Sequence, residues 1–237
     1  MVKLIDVYMA SLWREGHIIK TVNSILLNKN IGTITISCNN YTDAQWELVN
    51  TKLNNSKIKL YRTNNEKGSC EKLRFISTGS NYYVSLADDD LIYPPDYYEY
   101  LIAGVDKYNA YVSLHGRILK KGKITNYYSD FSHIYPVLKT VIEDVEVDIA
   151  SNCGCLFKRN FFNNLDEWYN LAEHSNMDDI YTNYWAKIKN IKRMVLKHNI
   201  NYVNHKIKHS GDNYVATIHR YDCQHQTDFI NNYFNKL

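Results

Sequence analysis

The stretch Tyr83-Val-Ser-Leu-Ala-Asp-Asp-Asp-Leu-Ile-Tyr-Pro-Pro-Asp-Tyr97 is the most informative in the chain. Asn81–Ala87 has the nearly unbroken apolar character of a strand covered on both faces, as strands of parallel sheets are. The strand stops abruptly at Asp88-Asp89-Asp90, and Pro94-Pro95-Asp96 then opens a helix to about Lys107, because proline is well tolerated in a first turn. In an open parallel sheet, ligands collect outside the carboxyl ends of the strands, where loops converge and helix N-termini point into the crevice. Adjacent carboxylates repel one another, so crowding them at such a strand end makes sense when they share a cation. Alternate residues of an extended segment point the same way, so Asp88 and Asp90 face one ligand while Asp89 turns aside. Oxygen-only ligation suits Mn²⁺ or Mg²⁺ held together with a substrate diphosphate. The plain alternative is a solvated acidic turn.

Upstream, strand and helix alternate. Leu4–Leu12 reads as a buried strand, and Glu15–Leu27 places Ile18, Ile19, Val22, Ile25 and Leu26 at helical spacing. Thr33–Cys38 is rich in β-branched residues, Thr42-Asp-Ala-Gln45 has the capping-box pattern of a helix start, and Ile58–Arg62 is a further strand. Ser69 is placed to cap a helix running through Ser77. Downstream, Tyr111–Leu119 reads as a strand, Lys120-Lys-Gly-Lys123 as a turn, and Ile124–Tyr128 as its hairpin partner. Val145–Lys158 and Ile191–Lys197 read as strands, with helices near Asn160–Ala172, Asp178–Lys189 and Asp222–Phe234. This order predicts an α/β protein with a mixed, mainly parallel sheet flanked by helices. It predicts a single domain over residues 1–237, in which about 1–108 bind one ligand and about 109–237 complete the site.

With 237 residues the chain can bury roughly 70% of its unfolded surface without an external staple. The 45% hydrophobic and 22% charged fractions exclude a disordered tail, a fibre and a coiled coil. Formal charge is 28 − 25 = +3 with no basic block, so no nucleic-acid partner is indicated. The 5 cysteines, an odd number without framework spacing, read as free thiols in a reducing compartment. Cys153-Gly154-Cys155 is too tight for a metal knuckle, which argues against zinc. The apolar run Leu4–Trp13 contains Asp6 and stops at Arg14, so it is neither a spanning helix nor a signal-peptide core. The protein is expected to be cytoplasmic, without an integral membrane segment, and its pI of about 8.4 permits peripheral contact with an anionic membrane.

The Asp-X-Asp segment resembles that of nucleotide-sugar glycosyltransferases with the GT-A fold, of the family 2 kind. Met9-Ala-Ser-Leu-Trp-Arg14, followed by Thr21-Val-Asn-Ser-Ile-Leu, is similar to the family's first strand, basic residue and first helix. Lys67-Gly-Ser-Cys-Glu-Lys-Leu73 resembles a Gly-x-x-x-Lys-Leu stretch that precedes the Asp-X-Asp strand in some members. Asn152-Cys-Gly-Cys-Leu-Phe-Lys-Arg-Asn-Phe-Phe162 resembles the Gly-centred acceptor-side strand and its Phe-Phe exit, with Gly154 at its centre. Asn176-Met-Asp-Asp-Ile-Tyr-Thr-Asn-Tyr-Trp-Ala-Lys187 resembles the acidic pair that opens a helix and supplies the general base.

The resemblance implies transfer of a sugar from a nucleotide diphosphate donor, a UDP-sugar by preference, to an acceptor hydroxyl on a glycan. It makes Asp88 and Asp90 the metal ligands, with Asp88 and Asp89 beside the donor. Arg14, Lys67 and Lys72 supply further cations, and Gly68 a donor-side turn. A late histidine, His209 or His219, completes the metal shell. Asp179 is the first choice for an inverting base and Asp178 the second; helix-dipole stabilisation is the duller role for both. Lys72 taken alone reads as a solvated helix lysine. Asn39 stands where the family carries an acidic residue for the base, and an amide both donates and accepts. Tyr181 or Trp185 is expected near the acceptor groove. The competing readings are a module of the same fold that binds without turnover, and a sugar nucleotidyltransferase. The latter needs a Gly-rich basic loop after the first strand, which Ser11-Leu-Trp-Arg14 is not.

Overall fold

The computed structural model describes residues 3–204 and 223–236. Its central sheet has the strand order β10-β4-β1-β2-β3. Here β1 is Ile5–Leu12, β2 Ile31–Asn39, β3 Ile58–Thr63, β4 Tyr83–Ala87 and β10 Phe157–Lys158. The pairs β1–β2, β1–β4 and β2–β3 are parallel, and β10 alone runs antiparallel, against β4. The expected mixed, mainly parallel α/β sheet is therefore present. Register sets the site: Met9 stands opposite Ala87, and Leu12 opposite Asn39, which itself faces Thr63. The strands thus end on one edge, bringing Trp13 and Arg14, Asn39 and Asn40, and Asp88 onward side by side.

Helices cover the faces. Helix α1 (Glu15–Leu26) buries Ile18, Val22 and Ile25, the apolar stripe of its sequence. At the start of α2 (Asp43–Lys52), Thr42 Oγ1 accepts from Gln45 N at 3.3 Å while Gln45 Oε1 accepts from Thr42 N at 3.0 Å, the expected capping box. Helix α3 (Tyr97–Tyr108) follows the two prolines and buries Tyr97, Tyr98, Leu101 and Val105 against the sheet. No helix among the described residues is long and apolar enough to cross a membrane. All 5 cysteines are free and buried.

The second half is more broken than its sequence suggests. Tyr111–Leu119 splits into β5 (Tyr111–Ser113) and β6 (Gly116–Leu119), which join different sheets, because Ser113 Oγ accepts from His115 N and turns the chain. The hairpin partner of β6 is β7 (Phe131–Tyr135), not Ile124–Tyr128. Asp130 Oδ2 accepts from Thr125 N and Asn126 N, taking the donors that a ladder at 124–128 would need. That loop is instead tied to α6 (Gln224–Asn232): Ile124 N donates to Asn231 Oδ1 and Tyr127 N to Thr227 Oγ1. Val145–Lys158 is not one strand but β8 (Val145–Glu146), β9 (Ile149–Ala150) and β10, each in a different sheet. The expected helix at 160–172 shrinks to a 3₁₀ turn at Arg159–Phe161 and the short α4 (Trp168–Leu171). Helix α5 (Asp178–Ile188) and β11 (Arg193–Val195) stand where expected; β11 pairs β5 and β8. In place of a helix from Ser69 to Ser77 there are 3₁₀ turns at Gly68–Leu73 and Ile76–Thr78, and Ser69 caps neither.

Candidate active site

The loop after β4 uses its aspartates in different ways. Asp89 turns aside, as alternation predicts, and is buried, 5% exposed. Ser11 Oγ donates to its Oδ2 at 2.6 Å, Arg14 Nη1 to its Oδ1 at 3.0 Å, and Thr21 Oγ1 to its backbone oxygen at 2.9 Å. The middle aspartate therefore locks the loop to β1 and α1. Arg14 Nη1 also reaches Asp90 Oδ2 at 3.5 Å. Burial, then the neighbouring Asp88 and Asp89 charges, push the Asp90 carboxyl up to about 7. Asp88 keeps a side chain 42% exposed and accepts from Lys72 Nζ at 2.8 Å.

Lys72 overturns its bland reading. It is buried, and its ammonium lies 2.8 Å from Asp88 Oδ1 and 3.1 Å from Asp178 Oδ2. Burial alone would discharge it; Asp178 and Asp88 outweigh that cost and hold its pKa well above the usual lysine value. The 3₁₀ winding of Gly68–Leu73 aims this side chain inward.

At the first turn of α5, burial works against ionising Asp178, but Lys72, Ser69 Oγ and Asn152 Nδ2 prevail and hold its carboxyl below the usual range. Asp179 is the reverse case. Burial and the adjacent Asp178 charge push it up to about 7, although Asn152 N donates to its Oδ1 at 2.6 Å. Ser151 Oγ donates to Oδ2 at 3.2 Å. Two carboxyls in one helical turn are thus driven apart, one locked as an anion and one able to take a proton near neutrality. Asn176 does not cap this helix: it adopts φ 58°, the N-cap is Met177, and Asn176 Oδ1 accepts from Ser69 N.

Other expected residues are placed differently. Lys67 Nζ donates to Tyr169 O at 2.6 Å and lies over the Tyr169 ring, so its charge is turned onto the α4 segment. Gly68 has φ 56° against the Asn176 side chain, where a Cβ would collide. Asn39 is buried and engaged locally: it donates to Asn65 Oδ1 and Gly68 O and accepts from Thr63 Oγ1, so it holds the 65–68 loop. Gly154, at φ 111°, crosses the end of β4 with its N–H on Leu86 O, and a Cβ there would meet Tyr97 Oη at 2.6 Å. Tyr181 and Trp185 are both buried, Trp185 stacked on Trp168 and Tyr181, because the inward face of α5 builds the second core. His209 and His219 lie outside the described residues.

Several contributors to the site give little signal in the sequence. Ser11, Ser151 and Asn152 sit inside quoted motifs but carry no distinctive spacing. Trp13 has φ 54°, is 51% exposed, and its Nε1 donates to Asn40 O at the mouth of the sheet edge. Arg117 lines the cavity that Asp179 faces, and a lone arginine in an extended stretch gives no signal.

The donor set fits a hard divalent ion. Only carboxylate oxygens are offered, Asp88 is accessible, and Asp90 is destabilised by neighbouring charge that a cation would relieve. Among the described residues no three His, Cys, Asp or Glu side chains converge on one point. An ion there needs substrate oxygens to complete its shell, as Mg²⁺ commonly does.

The mixed, mainly parallel sheet flanked by helices is the GT-A fold. Residues 6–166 match the family model described as Glycosyl transferase family 2, and the chain belongs to that family. Among solved structures it is similar to S. aureus TarS 1-349 in complex with UDP-GlcNAc, with a TM-score of 0.59 at 15% identity, covering 88% of this chain and 60% of that one. It is also similar to the mannosyltransferase PcManGT from Pyrobaculum calidifontis in complex with GDP-Man and Mn²⁺, with a TM-score of 0.54 at 13% identity, covering 84% of this chain and 55% of that one. The chain thus spans little more than half the length of these structures. No curated protein matches its sequence.

Proposed function

We propose that this protein transfers a sugar from a nucleotide diphosphate donor, a UDP-sugar by preference, to an acceptor hydroxyl on a glycan, by single displacement with inversion. One observation carries the reading: Lys72 joins Asp88 at the end of β4 to Asp178 at the start of α5, so the two acidic motifs, 90 residues apart (178 − 88), form one site. Asp88 and Asp90 are the residues to hold Mn²⁺ or Mg²⁺, and the ion's chemistry is to neutralise charge on the departing diphosphate. Arg14, already on Asp89 and Asp90, adds positive charge at the same edge. Trp13 offers an exposed indole face at the sheet edge for the nucleobase.

Asp179 is the base. Its carboxylate takes the acceptor hydroxyl's proton as that oxygen bonds to the anomeric carbon, and the electron pair of the breaking C–O bond leaves with the diphosphate. Asn152 N–H and Ser151 Oγ fix the carboxylate's orientation. Asp178, held as an anion by Lys72, raises the proton affinity of Asp179. A binding module without turnover has no use for a carboxyl tuned in this way.

Incubation with UDP- and GDP-sugars and Mn²⁺ or Mg²⁺ tests the reading. Slow metal-dependent release of the nucleoside diphosphate from one donor is expected, and Asp90→Asn is expected to abolish it. Binding of nucleotide without any release would leave only the inactive-module reading.

A further inference from the structure

Beside Asp179 lies a cavity of about 60 Å³ lined by Arg117, Tyr127, Tyr128, Asn176, Asp178 and Asp179, among others. At about 15 Å³ for each water centre, it accommodates one small polar group rather than a whole sugar ring. Its cation is Arg117, on β6. The guanidinium packs over the Tyr127 ring at 4.6 Å and within 5.9 Å of Tyr128 and Phe131, so aromatic faces hold it in place. Its one hydrogen bond to a described residue is long, Nη1 to Tyr127 O at 3.4 Å, and it has no ion pair among the described residues.

The nearby carboxylates are provided for from elsewhere: Asp178 by Lys72, Ser69 and Asn152, and Asp179 by Asn152 and Ser151. None of its nitrogens is buried without a partner, so most of the fork is open to solvent and within reach of a ligand in this cavity. The fork's geometry matches an oxyanion, on which two N–H groups bond side by side. The loop carrying both tyrosines is fixed by α6 through Thr227 and Asn231, so the arrangement is preformed rather than incidental.

We infer that Arg117 selects acceptors bearing an oxyanion, phosphate or carboxylate, close to the hydroxyl that Asp179 deprotonates. This rests on the proposed function, because it takes the Asp179 side of the site as the acceptor side. The acceptor is then an anionic glycan or sugar phosphate, and Arg117 contributes to KM more than to kcat.

The test titrates the protein first with UDP and GDP in the presence of Mn²⁺, then, with the better nucleotide saturating, with glucose 6-phosphate and with glucose. Failure of either nucleotide to bind strikes the proposed function itself, before any sugar is added. Glucose 6-phosphate is expected to bind at least tenfold more tightly than glucose. Arg117→Gln is expected to erase that preference and Arg117→Lys to restore part of it, while nucleotide binding in both variants certifies the fold. Equal binding of the two sugars, or a phosphate preference that survives Arg117→Gln, overturns the inference. A selective loss of nucleotide affinity in Arg117→Gln places the guanidinium on the donor and overturns it as well.

Discussion

Asp179 and Asp178 differ only in which neighbours reach them, yet one is poised and the other fixed. Asp179→Asn is expected to lower kcat by about 10²-fold or more while donor affinity stays nearly intact, as steady-state kinetics and nucleotide titration will show. Because the base must be ionised, kcat/KM of the parent is expected to fall as pH drops below about 7, following the raised Asp179. The same shift has a stability sign. Between the ordinary value of 3.8 and about 7 the folded chain keeps a proton that the unfolded chain has lost, so stability declines as pH rises through that window. Asp179→Asn removes the penalty, so thermal melts are expected to show the variant more stable than the parent at pH 8, with the gain vanishing toward pH 4. Lys72→Met leaves Asp178 buried without its cation, and urea unfolding is expected to register a loss on the order of 3 kcal/mol. Lys72 is where residue-by-residue reading of sequence fails most clearly. Nothing in Lys67–Leu73 says that the side chain turns inward, because its partners come from 16 and 106 residues away (88 − 72 and 178 − 72).

At the element scale, legibility follows the length of the apolar run. β1, β2, β4 and α1 announce themselves because each buries several consecutive or periodically spaced apolar residues, and the capping box at Thr42 is a purely local pattern. Val145–Lys158 misleads because its apolar residues serve three sheets in turn, and only tertiary contacts decide where each two-residue strand breaks off. Ile124–Tyr128 misleads for a different reason: Asp130 and α6 claim its backbone donors, and neither claim shows in the periodicity. Thr42→Ala removes one cap remote from the acidic loop and is expected to cost about 1 kcal/mol in unfolding experiments with kcat unchanged.

For the folded chain taken together, the parallel sheet edge and both acidic motifs are legible in the sequence, and their meeting is not. The sequence placed Asp88–Asp90 and Asp178–Asp179 at element ends, whereas the folded chain adds Ser11, Arg14 and Lys72 as the groups that make such crowding tolerable. Tyr181 and Trp185, aromatic and near the motif, belong to the core because helix α5 turns them inward together with Ile180, Thr182, Asn183 and Ala186. Chelation of divalent ions is expected to abolish nucleoside diphosphate release, and added Mn²⁺ or Mg²⁺ to restore it. The single Lys72 ammonium serves carboxylates from both acidic motifs. Whatever draws Asp88 toward a ligand loosens its hold on Lys72 and tightens the grip of Asp178, so occupancy of one substrate's berth alters the other's, and linkage requires the effect to run equally in both directions.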